Sequence, residues 1–131
     1  MYDRFGINQY QKVGVESRVS TSNPHNLVTM LFDGLLENLA KASGAIERRN
    51  IAEKGAAISA GIKIIAGLRA SLDYEKGGEI ASNLGAMYDY MERRLLEAST
   101  ESDAGIVAEV VSLVKQIKAG WDAIPTEYRG A

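Results

Sequence analysis

Cysteine is absent from the 131 residues of the sequence, and histidine occurs once, as His25. Without cysteine, the chain can form no disulfide, no thiolate metal site and no cysteine nucleophile. A single histidine excludes the paired Glu-x-x-His motifs of di-iron bundles, and no segment has the glycine spacing and lysine of a phosphate-binding P-loop. We therefore predict a protein that is not an enzyme and that uses no metal and no cofactor.

Positive charge and long apolar runs are also scarce. The 15 lysine and arginine residues are outnumbered by 17 acidic residues, so the formal net charge of -2 gives no general attraction to nucleic acid phosphates. No apolar run approaches the ~20 residues that cross a bilayer, and the first residues lack the basic-then-apolar order of a secretory signal. These features predict a cytoplasmic protein with no nucleic acid partner and no membrane insertion.

Proline is limited to positions 24 and 125, so the residues between them are free to form helices. Ser-Asn-Pro at 22–24 is typical of a helix start, and Asn50 with Glu53 predicts a capping box in which each residue satisfies an amide of the other. The Gly77-Gly78 pair indicates a turn, and 100–103 offers caps for a last helix. The predicted helices run from about 24 to 49, 51 to 72 or 73, 79 to 99, and 104 to 121.

Four long helices with short connections favour an all-α fold, an antiparallel four-helix bundle. Residues 1–22 show no helical stripe, yet they contain several apolar and aromatic side chains. Such a segment is expected to leave water and pack on the bundle as an N-terminal arm or short helix. We therefore divide the chain into an arm at 1–22, which is a candidate cap for a groove, a bundle at 23–124 and a short tail at 125–131.

The apolar stripes of the helices differ in predicted width. At 100° per residue, the stripe covers roughly 180° on helix one and roughly 160° on helices two and four. Helix three has a stripe of roughly 120°, formed by Ile80, Leu84, Met87, Tyr88, Met91 and Leu95. A core-facing helix needs only somewhat more than 100°, so helices one, two and four are predicted to carry spare apolar surface for the arm, a second copy or a partner. Burial of two faces in the bundle itself is the alternative.

His25 raises the possibility of a signalling role, because histidine phosphotransfer domains are four-helix bundles with one exposed histidine. Those domains place a lysine and a small residue beside the histidine within a helix, whereas His25 follows Pro24 in a first turn with no lysine nearby. We expect His25 to be an ordinary surface residue. A signalling or regulatory bundle, of the phosphotransfer type or a self-associating adaptor, is kept as the alternative function.

Several ordered segments of the chain are similar to the FliS family of flagellar secretion chaperones. The matching stretches are SNPHNL at 22–27, MLFDG at 30–34, Ile64 and Ile65 with Leu68, LD at 72–73, GGEIASNL at 77–84, MYDYM at 87–91 and RRLL at 93–96. Tyr2, Gly6, Ile7 and Tyr10 in the arm and Trp121 at the end of the last helix also fit the family pattern. The resemblance extends over about residues 2–121.

This resemblance implies a cytoplasmic chaperone that binds the C-terminal segment of flagellin. Such a chaperone prevents premature polymerisation and assists delivery to the flagellar type III export apparatus, so the implied partners are flagellin and export components. The flagellin tail is expected to wrap around the bundle as extended and helical pieces, with its apolar side chains in a groove. An unloaded chaperone that pairs two such surfaces would be a homodimer.

Specific contact residues follow from combining the stripes with the resemblance. The predicted partner-binding residues are Ile64, Leu68, Leu84, Tyr88, Tyr90, Leu113 and Ile117. Tyr90 is included because it lies off the main stripe of helix three. The resemblance also suggests that the arm, through Ile7 and Tyr10, covers the groove when no client is bound.

Overall fold

The structure is a computed structural model that describes residues 24–124. These residues form four helices: α1 (Pro24–Glu47), α2 (Ile51–Ala70), α3 (Tyr74–Glu101) and α4 (Ala104–Asp122). No strand occurs in this range, which confirms the all-α prediction. The predicted arm with Ile7 and Tyr10, and the tail at 125–131, lie outside the described residues.

The four helices form a ring around one apolar core. α1 packs most extensively against α2 and also against α4, while α3 packs against α2 and α4. Short connections between successive helices make these neighbours antiparallel. All four helices contribute large, fully buried side chains, namely Phe32, Leu35, Leu39, Ile65, Leu68, Met91, Leu95, Val107, Val110 and Val114.

The start of α2 follows the predicted capping rule only in part. The side chain of Asn50 accepts a hydrogen bond from the Glu53 amide at 3.0 Å, as predicted. The reciprocal half of the capping box is wrong, because the Asn50 amide donates instead to the Ala45 carbonyl at 2.9 Å. The Glu53 carboxylate pairs with the guanidinium of Arg48, a partner that the local capping pattern does not include.

The predicted start of helix three at about residue 79 is one turn too late. Asp73 is the N-cap, and its side chain accepts a hydrogen bond from the Lys76 amide at 3.0 Å. One helical turn, at 74–77, therefore forms before Gly78. The predicted turn is present as a break inside α3, because Gly78 adopts φ 51° and ψ -124°, a conformation that L side chains rarely adopt.

Replacing Gly78 with alanine is expected to lower the free energy of unfolding by about 1–3 kcal/mol, because the Cβ atom is strained at this positive φ. Gly67 is the matched control: it is helical, and an added Cβ meets no atom within 4 Å. Gly67→Ala should therefore raise stability by about 0.5–1 kcal/mol. Urea denaturation followed by circular dichroism compares the two variants, and a shift in the same direction for both would contradict the assigned backbone.

The expectation that His25 is a surface residue is wrong. Its side chain is buried, with 6% exposure, and its ring stacks on Trp121 at a centroid distance of 4.4 Å. The indole Nε1 of Trp121 donates to the His25 carbonyl and to Oγ1 of Thr29, both at 3.2 Å. These contacts tie the end of α4 to the start of α1. A ring held in this stack is poorly placed to accept a phosphoryl group.

The exposed apolar surface is distributed differently from the prediction. The exposed large apolar residues of the described range are Leu27, Ile51, Tyr74, Ile80, Tyr90 and Leu96. Most of them lie on α3, the helix with the narrow predicted stripe, and Ile80 of that stripe is 72% exposed. A helical wheel shows which way a side chain points around the helix but not how far along the helix axis it lies. Ile80 is exposed because it lies in the first turn after the Gly78 break, near the end of the bundle.

The wide stripes of the other helices mostly stay against the core. Their outer members are partly buried apolar residues packed on the central cluster, among them Val28, Leu31, Leu36, Ile62, Val111, Leu113 and Ile117. Burial of two helix faces thus accounts for much of the predicted surplus on α1, α2 and α4. What is left for a partner lies mainly along the borders of α3.

Candidate functional site

A group of polar side chains joins α3 to α4 at one end of the border between the two helices. Nε of Arg94 donates to Oε1 of Glu109 at 2.8 Å, and the Tyr90 hydroxyl donates to the other carboxylate oxygen at 2.5 Å. A guanidinium nitrogen of Arg94 also donates to Glu97 at 2.6 Å. We call Tyr90, Arg94, Glu97 and Glu109 the polar clasp, since it joins the two helices across their seam.

The clasp perturbs the protonation equilibria of its members. The hydrogen bond from Tyr90, followed by that from Arg94, lowers the pKa of Glu109. The hydrogen bond to Glu109 raises the pKa of Tyr90 and is also the main cause that raises the pKa of Arg94. At neutral pH the clasp therefore holds one guanidinium between two carboxylates and keeps a net negative charge.

Replacing Glu109 with glutamine is expected to move the Tyr90 titration back towards its ordinary pKa near 10. The neutral amide still accepts a hydrogen bond, but it no longer opposes ionisation of the phenol by its charge. A spectrophotometric titration of phenolate absorbance measures the shift, and the same titration of Tyr90→Phe identifies which tyrosine moved. Identical titration curves for the wild type and Glu109→Gln would show that the hydrogen bond does not form in solution.

Beyond the clasp, the same border becomes apolar. Leu113 and Ile117 follow Glu109 at four-residue intervals on α4, and Met87 precedes Arg94 by seven residues on α3, so they continue the same helix faces. Leu84, Leu113 and Ile117 are half-buried against the core, and Met87 is half-buried as well. We call these four residues the α3–α4 seam. A half-buried apolar row with a polar end can accept one face of an amphipathic segment.

The structure separates the predicted contact residues into two groups. Leu84, Leu113 and Ile117 lie on the seam, and Tyr90 lies at its polar end. The other three belong to the core: Ile64, Leu68 and Tyr88 are exposed by 3%, 1% and 3%. Burial also raises the pKa of Tyr88 to about 12. A partner reaches these three side chains only if the bundle opens locally, and the contact role of the whole set stays a prediction.

The opposite border of α3, towards α2, has a related arrangement. Arg69 of α2 pairs with Glu92 of α3, and its Nε lies 3.2 Å from Oδ1 of Asp89. Towards the other end of α3, Leu96 is exposed, as is Ile51 at the start of α2. Neither Leu96 nor Ile51 is among the predicted contact residues, and both lie outside the α3–α4 seam.

The outer face of α2 is unusual because its exposed positions are mainly small residues. They include Ala52, Ala56, Ser59, Ala66 and Ala70. Gly55 and Gly67 border this face, and a Cβ at either position would meet only open space. Small side chains leave this part of the helix surface open to close approach by another segment, so this face is a candidate extension of the site.

Metal-binding clusters and membrane-spanning helices are two further kinds of functional feature. Residues 24–124 contain no group of three or more histidine, aspartate or glutamate side chains arranged to hold a metal ion. Within the same range, no helix combines the length and apolar character that crossing a bilayer requires.

Comparison with known proteins gives a consistent result over nearly the whole chain. A family model described as "Flagellar protein FliS" matches residues 6–128. The chain is 49% identical to the flagellar secretion chaperone FliSB of Pseudomonas aeruginosa, over 95% of this chain and 98% of that protein. It is 47% identical to the flagellar secretion chaperone FliS of Salmonella typhimurium, over 95% and 93% of the two chains.

A more distant relative is the flagellar secretion chaperone FliS of Bacillus subtilis, 34% identical over 87% of this chain and 85% of that protein. The names of these relatives describe chaperones and not enzymes, in agreement with the predicted lack of catalytic chemistry. The recurring match confirms the resemblance seen in the sequence, and the chain belongs to the FliS family of flagellar proteins.

Proposed function

We propose that this protein is a cytoplasmic flagellar secretion chaperone that binds the C-terminal segment of flagellin. In this role it prevents premature polymerisation and assists delivery of the subunit to the flagellar type III export apparatus. The observation that carries the proposal is the α3–α4 seam, a half-buried apolar row beside a polar clasp, in a chain whose relatives are named secretion chaperones.

Binding at the seam would work by burying apolar surface. Completing the burial of a half-exposed leucine or isoleucine contributes about 1 kcal/mol, a fraction of the roughly 1.5–3 kcal/mol for full burial of such a side chain. Several such contacts along one amphipathic segment offset the cost of ordering it. No nucleotide is needed for such binding, because the apolar contact itself supplies the free energy.

The polar clasp would determine the register of the bound segment. Its net negative charge favours a lysine or arginine of the client beside Glu97 and Glu109 and disfavours an acidic residue there. Apolar client side chains would then lie on Leu113 and Ile117, one and two turns further along α4. Of the predicted contacts, Leu84, Tyr90, Leu113 and Ile117 are reachable without opening the bundle, whereas Ile64, Leu68 and Tyr88 are not.

The N-terminal arm is proposed to cover the apolar surface when no client is bound. Replacing Ile7 and Tyr10 with alanine should then raise the fluorescence of a hydrophobic dye added to the free protein, because the arm loses its apolar anchors. The free double variant should also bind flagellin with at least wild-type affinity. An unchanged dye signal together with unchanged flagellin affinity would show that the arm is not a cap.

The direct test is to mix the protein with a peptide of the flagellin C-terminal segment. We expect a one-to-one complex by native mass measurement and a change in the fluorescence of Trp121, the single tryptophan. The absence of a complex at micromolar concentrations would contradict the proposal. Mass measurement of the free protein in the same experiment shows whether it is a homodimer, and incubation with acetyl phosphate tests the phosphotransfer alternative.

A further inference from the structure

The first turn of α3 is joined to the rest of the helix in an unusual way. Residues 73–77, which we call the Tyr74 turn, form one capped helical turn in which the Gly77 amide donates to the Asp73 carbonyl at 2.7 Å. Gly78 then breaks the helix with φ 51° and ψ -124°. Because the backbone direction changes at this glycine, the Tyr74 turn does not continue the helical path of the rest of α3.

Tyr74 is folded back onto α3 and occupies a place that only a glycine leaves open. A Cβ atom at position 85 would lie 2.7 Å from the Tyr74 hydroxyl oxygen and 3.7 Å from a ring carbon of the same side chain. The same position would lie 3.7 Å from Cδ1 of Leu72, so the ring sits over Gly85 beside the end of α2. Gly85 itself is buried.

The Tyr74 side chain packs closely on Gly85 on one side and faces water on the other. Tyr74 is 51% exposed, so half of this large apolar side chain is in water although it covers a buried glycine. Displacement of Tyr74 would therefore expose only the buried half of its surface, and the break at Gly78 is the position where the turn would bend away from α3. Leu68 lies one turn before Leu72 and Tyr88 one turn after Gly85, and both are core residues in this state. Departure of Tyr74 would open the surface next to them.

We propose that Tyr74 is an intramolecular plug, which occupies the hollow over Gly85 in the empty protein and is displaced by an apolar side chain of the bound flagellin segment. The proposal rests on the proposed function, and it gives that segment an anchoring position between α2 and α3, separate from the α3–α4 seam. Only molecules in which Tyr74 has left the hollow can bind the segment there. The apparent affinity is therefore the intrinsic affinity multiplied by the fraction of molecules in which the hollow is open.

The full-length protein and a flagellin C-terminal peptide provide the test. Tyr74→Ala removes the plug and leaves the hollow over Gly85 open, so it should raise the association rate roughly threefold or more in stopped-flow measurements. Gly85→Ala in the Tyr74→Ala background fills part of the emptied hollow, so it should slow association again. Ile51→Ala, an exposed apolar position at the opposite end of α2, should leave the rate unchanged.

Hydrogen exchange of the backbone amides supplies an independent readout. Peptide binding should accelerate exchange at residues 73–78 while it slows exchange elsewhere on α3. Binding that slows exchange at 73–78, with an association rate of Tyr74→Ala equal to that of the wild type, would overturn the plug and leave the proposed function standing. No binding by the wild-type protein would overturn the proposed function and the plug together.

Discussion

Replacing Leu113 with aspartate is expected to weaken binding of the flagellin C-terminal segment by about 100-fold, or about 3 kcal/mol. Leu113 lies near the middle of the α3–α4 seam, one turn beyond Glu109. A bound segment would enclose the new carboxylate within the apolar part of the seam, and the neighbouring clasp already carries excess negative charge. Titration calorimetry with the peptide measures the loss.

Two further variants separate this effect from damage to the fold. Leu113→Ala removes apolar contact without adding charge and should cost about tenfold in affinity. Ile51→Glu adds a charge at an exposed apolar position far from the seam, in the first turn of α2 where a carboxylate is favoured by the helix dipole. It should bind normally. Equal affinities for Leu113→Asp and wild type, with both proteins folded, would remove the seam from the binding site.

Replacing Leu68 with alanine is expected to lower the free energy of unfolding by about 2–5 kcal/mol, because this side chain is fully buried and its removal leaves a cavity. Leu113→Ala is the matched comparison, since the same atoms are deleted from a half-buried position. Its stability should fall by only about 1 kcal/mol. Urea denaturation of both variants gives the two values.

The comparison also tests the sequence-based contact assignment. If Leu68→Ala changed stability no more than Leu113→Ala and weakened flagellin binding more, then Leu68 would be a groove residue and its buried position would be wrong. We expect the opposite order. Any loss of client affinity in Leu68→Ala should follow from a less stable bundle.

Local rules predicted much of the fold because they depend on only a few neighbouring residues. Asn50 caps α2 as its side-chain chemistry requires, and Gly78 takes the positive φ that a glycine pair suggests. The same rules placed the start of α3 too late, because the Gly-Gly pair was interpreted as a turn between two helices. A break inside a helix and a turn between helices have similar sequence patterns.

The site was harder to predict because it depends on distant parts of the chain. Leu68 and Leu113 are both apolar members of amphipathic stripes, and their different burial follows from how far each lies from the neighbouring helix. His25 looked like a surface residue because its stacking partner Trp121 is remote in sequence. The polar clasp likewise needs Glu109 from another helix, so only Tyr90 could be singled out from its own position on α3.

The family resemblance supplied what these patterns lacked. The ordered segments around 22–34, 64–73 and 77–96 led to a chaperone family that the comparison with relatives then confirmed. Spare apolar surface alone predicted only an unidentified partner. In the structure, this surface is concentrated along both borders of α3, whereas the sequence had predicted it on the three other helices.

We propose that the α3–α4 seam holds the flagellin C-terminal segment. The most direct measurement is the set of intermolecular nuclear Overhauser effects between an unlabelled flagellin peptide and protein with labelled leucine and isoleucine methyl groups. We predict contacts from the peptide to the methyl groups of Leu84, Leu113 and Ile117 and none to those of Ile51. Contacts confined to Ile51 and Leu96, with the seam methyl groups unaffected by the peptide, would contradict the account.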